Sequence, residues 1–449
     1  MSVAAFTDAI TEALSAPMVL PSGDIEISEA GATLPSVFPV SDLVEATVAA
    51  ATRELLGLTR RPGHLAQLNR TLANAWFGMT LQGKGWSPPS PFDAVSGDYQ
   101  TKDGWIRLHT IAPHHRAAAL SVLDTPPDRD AVANAAATWS AQDLEAAVVA
   151  AGGASAEMRT LADWDVHPQG QAVDGEPLIA FDMIGTTDRQ AWPKDGDPPL
   201  KGLKVLDLTR VLAGPVSTRF LAAFGANVLR IDPPEWTEPG IIPEVSVGKR
   251  CAGLDLRAEY DREIFERLLR QADVLVHGYR PGALDGLGFG AEARAAIAPH
   301  LIDVALCAYG WTGPWAGRRG FDSLVQMSCG IAHHGMSVAD SERPFPLPVQ
   351  ALDHGTGYLM ATAILRALRL REEGQIVSAR LSLARTAALL RQFPLAAFQS
   401  ARPGDVPYID EPTGWGPGRR TAFPVEIKGV PINWPVEAGP LRRHTPEFG

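Results

Sequence analysis

The feature that most constrains the fold is a run of short apolar strands that alternate with helical stretches. The first strand lies in LKVLDLTRVLAGP, residues 203–215, and leads through a Gly-Pro turn into a helix. Three more strands follow, in 226–234, 272–279 and 301–310, with helical patterns between them. Strands that alternate with helices form βαβ units, whose strands run parallel in one sheet. The run therefore predicts an α/β fold with a large domain built on a Rossmann-like parallel sheet.

The stretch before this run predicts a second, smaller domain. DGWIRLHTI, residues 103–111, alternates side chains as a half-buried strand does, and helical patterns occupy 114–123 and 141–151. The last 50 residues are rich in proline and glycine, with one strand, FPVEIKG. The predicted division is a partial helical segment at 1–86, a small α+β domain at 87–198, the large Rossmann-like domain at 199–400, and a C-terminal strand and tail at 401–449.

The charge of the chain limits the ligands that it can take. The 449 residues carry a formal net charge of −11, so a nucleic-acid-binding surface is not expected. An anionic ligand would need arginines or lysines placed locally. Six basic residues of the βαβ half lie in predicted loops: Lys249, Arg250, Arg257, Arg280, Arg318 and Arg319. Each alone is typical of a solvated surface, whereas together they could converge on an anion, and both interpretations remain open.

The sequence carries no signal for a membrane or for export. No run of about 18 apolar residues occurs. The first residues, MSVAAFTDAITEALSAP, lack the basic region of a signal peptide. Cys251, Cys307 and Cys329 are odd in number and show no CxxC spacing, which favours buried free thiols in a reducing compartment. We therefore expect a cytoplasmic protein.

Several common kinds of site are disfavoured by missing motifs. The eleven histidines form no HxH or HExxH pattern, so no metal site is expected. No GxSxG occurs, which disfavours a hydrolase nucleophile elbow. VLDLTRVLAGPVSTRFL, residues 205–221, has the strand, turn and helix of a nucleotide-binding βα unit but lacks GxGxxG. An ordinary βα turn is an equally good interpretation of that segment.

Asp353 stands out in PVQALDHGTGYL, residues 348–359, where it precedes Gly355 and Gly357 and a long apolar run. An aspartate before an apolar run is often the N-cap of a helix. An aspartate can also be a covalent nucleophile, and the glycines would then allow close approach and backbone contacts to an oxyanion. The residues alone leave both roles open.

A weak internal repeat links the two ends of the chain. Four residues recur at a constant offset of 311, since 353 − 42 = 311. The matched pairs are Asp42 with Asp353, Gly63 with Gly374, Leu72 with Leu383, and Ala73 with Ala384. We take this spacing as a hint of duplication.

An ordered series of segments resembles the family III CoA-transferases, the family of formyl-CoA transferase, carnitine CoA-transferase and α-methylacyl-CoA racemase. The likeness covers about 200 residues, and its order makes it specific. Its segments are LKGLKVLDLTRVLAGPVSTRFLAAFGANVLRIDPP, GKRCAGLDLR, ADVLVHGYRPGALDGLGFG, YGWTGPWAGRRGFDSLVQMSCGIAHHGM, PVQALDHGTGYLMATAILRAL and GQIVSARLSLA.

The resemblance implies an enzyme that moves CoA from an acyl-CoA to a carboxylic acid. Asp353 matches the family's nucleophile, which implies an aspartyl anhydride and then an aspartyl-CoA thioester. Coenzyme A and acyl-CoA would be substrates, with no permanently bound cofactor. Homodimers are the family's usual assembly. Seven residues match the family's CoA contacts: Val211, Leu254, Arg257, Tyr279, Arg280, Leu287 and Arg319.

Departures from the family pattern keep two alternatives open. PPEWTEPGIIPEV, residues 233–245, lacks the arginine usual after the second strand, and Gly278 replaces an asparagine. Phe321 stands where racemase members have a histidine, which disfavours two-base racemisation. An acyl-CoA isomerase or racemase on the same scaffold is one alternative, and a non-catalytic CoA-binding relative is the other. The acyl groups cannot be read from the sequence.

The order of the segments is unusual for the family. GDYQTKDGWIRLH, residues 97–109, resembles the family's small domain, which normally follows the aspartate segment. FPVSDLVEATVAAATRELLGL, residues 38–58, resembles a second aspartate segment, with Asp42 in the place of Asp353. A fusion of two truncated copies accounts for this order. The sequence leaves open which aspartate is active, whether the rearranged chain is catalytic, and what its oligomeric state is.

Overall fold

The computed structural model describes residues 2–15, 25–28, 31–59, 65–91, 93–188, 198–402 and 404–449. The helices are α1 (Ser2–Ser15), α2 (Val40–Leu58), α3 (Arg70–Trp76), α4 (Pro113–Leu123), α5 (Arg129–Ala136), α6 (Ala141–Ala150), α7 (Leu161–Val166), α8 (Pro168–Asp174), α9 (Ala213–Ala223), α10 (Ile242–Val245), α11 (Glu259–Gln271), α12 (Ala283–Gly286), α13 (Ala291–Ile297), α14 (Asp322–Ser328), α15 (Ile331–Val338), α16 (Ala351–Glu372) and α17 (Leu383–Arg391). The strands are β1 (Ile25–Ile27), β2 (Ala66–Leu68), β3 (Leu81–Gly83), β4 (Gly97–Gln100), β5 (Trp105–Leu108), β6 (Ser155–Glu157), β7 (Ala180–Thr186), β8 (Lys204–Leu208), β9 (Asn227–Asp232), β10 (Lys249–Gly253), β11 (Val274–His277), β12 (Ile302–Cys307), β13 (Gln375–Ser382), β14 (Tyr408–Thr413), β15 (Gly416–Thr421) and β16 (Val425–Ile427).

A seven-stranded sheet forms the centre of the fold, in the order β10-β9-β8-β11-β12-β13-β7. Its strands pair in parallel except for the edge strand β7, which runs antiparallel to β13. Successive residues of a strand face opposite sides, so Val205 packs in one hydrophobic cluster with α9 and α16, and Leu206 packs in another with α11. The predicted α/β fold with a Rossmann-like large domain is confirmed.

The smaller α+β unit is also present. Strands β4, β5 and β6 form an antiparallel sheet whose apolar side packs on α4, α5 and α6 around Ile106, Val132 and Leu144. Strands β5 and β6 in turn contact α14, so this unit lies against the large sheet's helices.

Segments from the two ends of the chain share two further sheets. One has the order β1-β2-β16, and the other has the order β14-β15-β3. Strand β7, from within 87–198, completes the edge of the central sheet. The division into four sequence ranges therefore stays a prediction, since strands from different ranges pair with one another.

Two predicted helices differ from the structure. The sequence pattern of residues 378–396 predicts a helix, but 378–382 belong to β13, because strands β12 and β7 lie on either side and outweigh local propensity. The pattern of residues 64–80 predicts one helix, whereas the structure has β2 and then α3 there. Residue 64 itself lies outside the described residues.

Helices α2 and α16 begin in the same way and pack against each other. The residue before each has nearly the same backbone angles, with φ −75° and ψ 60° at Pro39 and φ −72° and ψ 66° at Gln350. A 2.7 Å hydrogen bond spans the turn in both cases, from Val40 N to Phe38 O and from Ala351 N to Val349 O. Each helix is followed by a strand and another helix. These likenesses support the hypothesis of duplication.

The three cysteines are buried and unpaired, as predicted. Among the helices that the structure describes, none is both long and apolar enough to span a membrane.

Candidate active site

Asp353 is the third residue of α16, inside its first turn, and only 9% of its surface is exposed. The N-cap position belongs to Gln350. The carboxylate that accepts hydrogen bonds from the start of the helix is Asp322, whose Oδ2 lies 2.9 Å from the backbone nitrogens of both Leu352 and Asp353. The N-cap interpretation of Asp353 is therefore wrong, and its own carboxyl group is left for other contacts.

The glycines after Asp353 serve helix packing. A Cβ atom at Gly357 would lie 2.5 Å from the carbonyl oxygen of Ala213, so only glycine lets α16 approach α9 this closely. A Cβ at Gly355 would meet Leu43 at 3.4 Å, an ordinary contact. The backbone N–H that reaches the Asp353 carboxyl group belongs to Ala213, at the start of α9. The predicted contacts of the glycine backbone with an oxyanion stay a prediction.

Two buried carboxyl groups share this corner of the fold. Burial raises the pKa of Asp353 well above its usual value, the nearby charge of Asp322 raises it further, and the hydrogen bond from Ala213 opposes them. Burial raises the pKa of Asp322 to about 6, although backbone and Gln326 hydrogen bonds act against it. Like charges in a buried site resist joint ionisation. The pair therefore holds protons to a higher pH than exposed aspartates do.

Asp353 opens onto a cleft of about 330 Å³, here called the Asp353 cleft. The cleft brings together five of the predicted site residues: Val211, Tyr279, Arg280, Arg319 and Asp353. Its other walls include His114, His115, Leu208, Thr209, Arg210, Leu212, Ala213, Trp236, Gly278, Leu306, Cys307, Ala308, Arg318, Gly320, Phe321 and Leu383.

One wall of the Asp353 cleft is strongly basic. The guanidinium group of Arg210 lies 4.5 Å from the ring centre of Trp236 and 5.2 Å from that of Tyr279. Burial lowers the pKa of Arg319, and the charged neighbour that lowers it further is Arg280. Two arginines that repel each other in a cleft are stabilised by an anion between them. This wall is suited to phosphate or carboxylate groups.

Three predicted CoA contacts lie outside the Asp353 cleft. Leu254 is buried in the hydrophobic cluster with Leu206, and Leu287 packs against the same cluster. The side chain of Arg257 is 64% exposed and pairs with Asp255 at 2.7 Å. Their predicted contacts with CoA stay predictions.

Another part of the cleft lining comes from the smaller α+β unit and from the loop before α14. His114 and His115, in the first turn of α4, line the cleft. The ring of Phe321 stacks on His109, with centres 3.6 Å apart and planes 3° apart. Burial, the main cause, lowers the pKa values of His109 and His115 to about 3, so both imidazoles are neutral at pH 7.

Sequence reasoning missed this part of the cleft. The pair His114-His115 carries no metal or nucleophile motif, and more than 200 residues separate it from Asp353. The only local signal was its place just after a predicted strand.

The second aspartate segment does not join the Asp353 cleft. The Asp42 carboxylate pairs with Arg70 at 2.5 Å and accepts a hydrogen bond from Ser2. Arg70 also pairs with Glu45. Because this arginine neutralises it, the Asp42 carboxylate is a poorer nucleophile than an unpaired one.

Comparisons with known proteins point to the same part of the chain. Residues 200–414 match the family described as CoA-transferase family III. An acetyl-coenzyme A transferase of Hypoxylon pulicicidum is 37% identical over 191 residues, which are 41% of this chain and 32% of that protein. The succinyl-CoA:glutarate CoA-transferase of Mus musculus is 33% identical over 196 residues, 40% of this chain and 44% of that protein. The chain spans less than half the length of these curated relatives.

Among solved structures, a crystal form of a Mycobacterium tuberculosis protein matches with a TM-score of 0.40 and 31% identity, covering 43% of this chain and 56% of that one. The family match includes α16 with Asp353, the turn before α9 and most of the cleft's basic wall. The similarity to CoA-transferase family III thus covers residues 200–414 of this chain.

Proposed function

We propose that the protein transfers CoA from an acyl-CoA to a carboxylic acid, with Asp353 as the nucleophile. The observation that carries the proposal is one cleft that holds a buried carboxyl group beside Arg210, Arg280 and Arg319. A thioester carbonyl could meet the carboxyl group while the phosphates of CoA meet the arginines.

The first half of the reaction would load CoA onto the protein. An oxygen of the Asp353 carboxylate attacks the thioester carbonyl carbon, the carbon–sulfur bond breaks, and CoA leaves as a thiolate with the electron pair. The thiolate then attacks the carboxyl carbon of Asp353 in the resulting anhydride. The donor acid leaves as a carboxylate, and Asp353 is held as a CoA thioester.

The second half would repeat these steps in reverse. The acceptor carboxylate attacks the Asp353 thioester carbon, expels the CoA thiolate and forms a new anhydride. The thiolate attacks the acceptor's carbonyl carbon, which gives the acceptor's CoA ester and restores the Asp353 carboxylate. No net proton is taken up, and the thioester's free energy is conserved.

The part of the cleft formed by His114, His115 and Phe321 favours CoA transfer over racemisation. Racemisation at the α-carbon needs a base on each face of the substrate. Phe321 stands where racemase members of the family have a histidine, and its ring is stacked on the neutral His109. These groups offer an aromatic surface to an acyl chain and little basicity.

For the acyl groups, only a chemical class is proposed. Relatives act on acetyl-CoA with oxalate and on succinyl-CoA with glutarate, according to their names. The aromatic surface at Phe321 suits an apolar acyl donor.

Mass spectrometry after mixing with a panel of acyl-CoA donors and quenching in acid would test this function. We expect a CoA-sized adduct on the peptide that carries Asp353, and no adduct in the Asp353→Ala variant. Asp42→Asn is the matched control and should label like the wild type. If the wild type binds CoA but forms no adduct, the protein is a non-catalytic CoA-binding relative. If the adduct forms on Asp42, the nucleophile is Asp42 and not Asp353.

A further inference from the structure

The turn before α9 contains a residue in an unfavourable conformation. Val211 has φ of 58°, in the left-handed region that β-branched residues rarely adopt. It lines the Asp353 cleft and lies two residues before Ala213. Such a conformation persists only where neighbouring groups hold it.

A buried ionic group holds this turn. The backbone N–H of Val211 donates a 2.8 Å hydrogen bond to Oε2 of Glu238, which is 7% exposed. The other oxygen of Glu238 accepts a hydrogen bond from Arg230. Arg230 is fully buried and is fixed by two 2.9 Å bonds to Asp232 at the end of β9. The turn is therefore tied to the carboxyl end of β9, in the central sheet, through one carboxylate.

The turn sets the direction of the amide that meets the nucleophile. Ala213 is the first residue of α9 and lines the Asp353 cleft together with Asp353. Its backbone N–H is the group that favours the ionised form of the Asp353 carboxyl and so lowers its pKa. The carbonyl of the same residue lies against Gly357 of α16. A rotation of the backbone at Val211 would turn both groups away, because only Leu212 lies between Val211 and Ala213.

We propose that Glu238 is a positioning residue, which holds Val211 in the left-handed conformation and thereby aims the Ala213 N–H at Asp353. The inference rests on the proposed role of Asp353 as the nucleophile. The amide favours the ionised carboxylate before attack and lies beside the carboxyl group that bears the acyl and CoA adducts. Glu238 itself does not touch the substrate.

The test compares Glu238→Gln, Val211→Gly and the double variant. Arg230 and the Val211 N–H donate to different oxygens of Glu238, so in a glutamine one of these donors would face an NH2 group that cannot accept. We expect Glu238→Gln to slow formation of the Asp353 adduct by about 10- to 100-fold, mostly in kcat and little in KM. Glycine adopts the left-handed conformation without strain, so Val211→Gly in the Glu238→Gln background should restore at least about tenfold of the lost rate.

The rescue separates positioning from a purely structural role. If Glu238 served only to pair Arg230 in the fold, glycine at Val211 would restore nothing, and circular dichroism would show the same loss of stability in the single and double variants. An unaltered rate in Glu238→Gln, or a double variant no faster than Glu238→Gln, would overturn the inference. A wild type that forms no adduct would overturn the proposed function, and this inference with it.

Discussion

Asp353 faces opposing demands. A nucleophile must be ionised, yet burial and the charge of Asp322 both raise its pKa, and the N–H of Ala213 acts in the other direction. A desolvated carboxylate is also more reactive once it is formed. Burial therefore lowers the fraction of Asp353 that is ionised, but the carboxylate that does form is not shielded by water.

The first prediction concerns pH. Adduct formation should rise as the pH increases through and beyond about 6, the pKa of Asp322, because the pair must lose its protons before Asp353 is ionised. Asp322→Asn removes the neighbouring charge and keeps an oxygen for the start of α16, so the rise should move to lower pH. Single-turnover rates between pH 5 and pH 9, roughly the range in which such a pair titrates, would show it. If the pH dependence of adduct formation were the same in Asp322→Asn as in the wild type, the charge of Asp322 would not control the ionisation of Asp353.

The second prediction concerns stability. A carboxyl group whose pKa is raised by folding stabilises the fold at low pH, and this contribution is lost as the pH rises through the folded pKa. Asp353→Asn should therefore abolish the adduct yet raise the free energy of unfolding at pH 8 by about 0.5–2 kcal/mol. The gain should shrink in acid, as urea unfolding at both pH values would reveal. If Asp353→Asn were less stable than the wild type at pH 8, the fold would not disfavour the ionised Asp353 carboxylate.

The geometry of the site depends on how closely α16 packs on α9. Gly357→Ala would place a methyl group 2.5 Å from the Ala213 carbonyl oxygen, and backbone cannot yield as a side chain can. We expect a loss of about 1–3 kcal/mol in the free energy of unfolding and a much slower adduct step, since α9 must move. Denaturant unfolding and single-turnover rates measure both effects.

Gly355→Ala is the matched control on the same helix. Its added methyl group would meet Leu43 at 3.4 Å and Thr386 at 3.5 Å, which flexible side chains accommodate. It should keep most of the activity. Because alanine has a higher helix propensity than glycine at both positions, equal losses in the two variants would mean that the contact with α9 is not the cause.

The elements were predictable where the local pattern and the tertiary context agree. Strands β8, β9, β11 and β12 are short apolar runs, and the sheet buries them on both faces. Strand β13 was missed because its sequence suits a helix and only its neighbours make it a strand. The first turn of α16 was also missed, because its capping carboxylate, Asp322, lies 31 residues away from Asp353.

One chain supplies both the histidines and the arginines that line the Asp353 cleft. His114 and His115 come from the smaller unit, whereas Asp353 and the arginines come from residues 200–414. Packing of α2 on α16 places the two aspartate segments side by side within one chain. The sequence indicated the two segments, but their contact could not be read from it, because a repeat does not say how its copies pack.

Dilution of the protein tests whether a single chain is active. Because one chain supplies Asp353, the arginines and the histidines of the cleft, we predict that the adduct rate per chain stays constant over about a thousandfold dilution. Size-exclusion chromatography at the same concentrations would show whether a homodimer dissociates in that range. A rate that falls as a dimer dissociates would mean that a second chain contributes to the site.

An acceptor acid labelled with ¹⁸O in its carboxylate would show whether Asp353 becomes covalently linked to the substrates. In the proposed reaction the bridging oxygen of the second anhydride comes from the acceptor and stays on Asp353 when the new thioester forms. Peptide mass spectrometry after turnover should therefore find ¹⁸O in the peptide that carries Asp353 and none in the peptide that carries Asp42. Product formed with no label in Asp353 would contradict the account, since CoA would then have moved without passing through this residue.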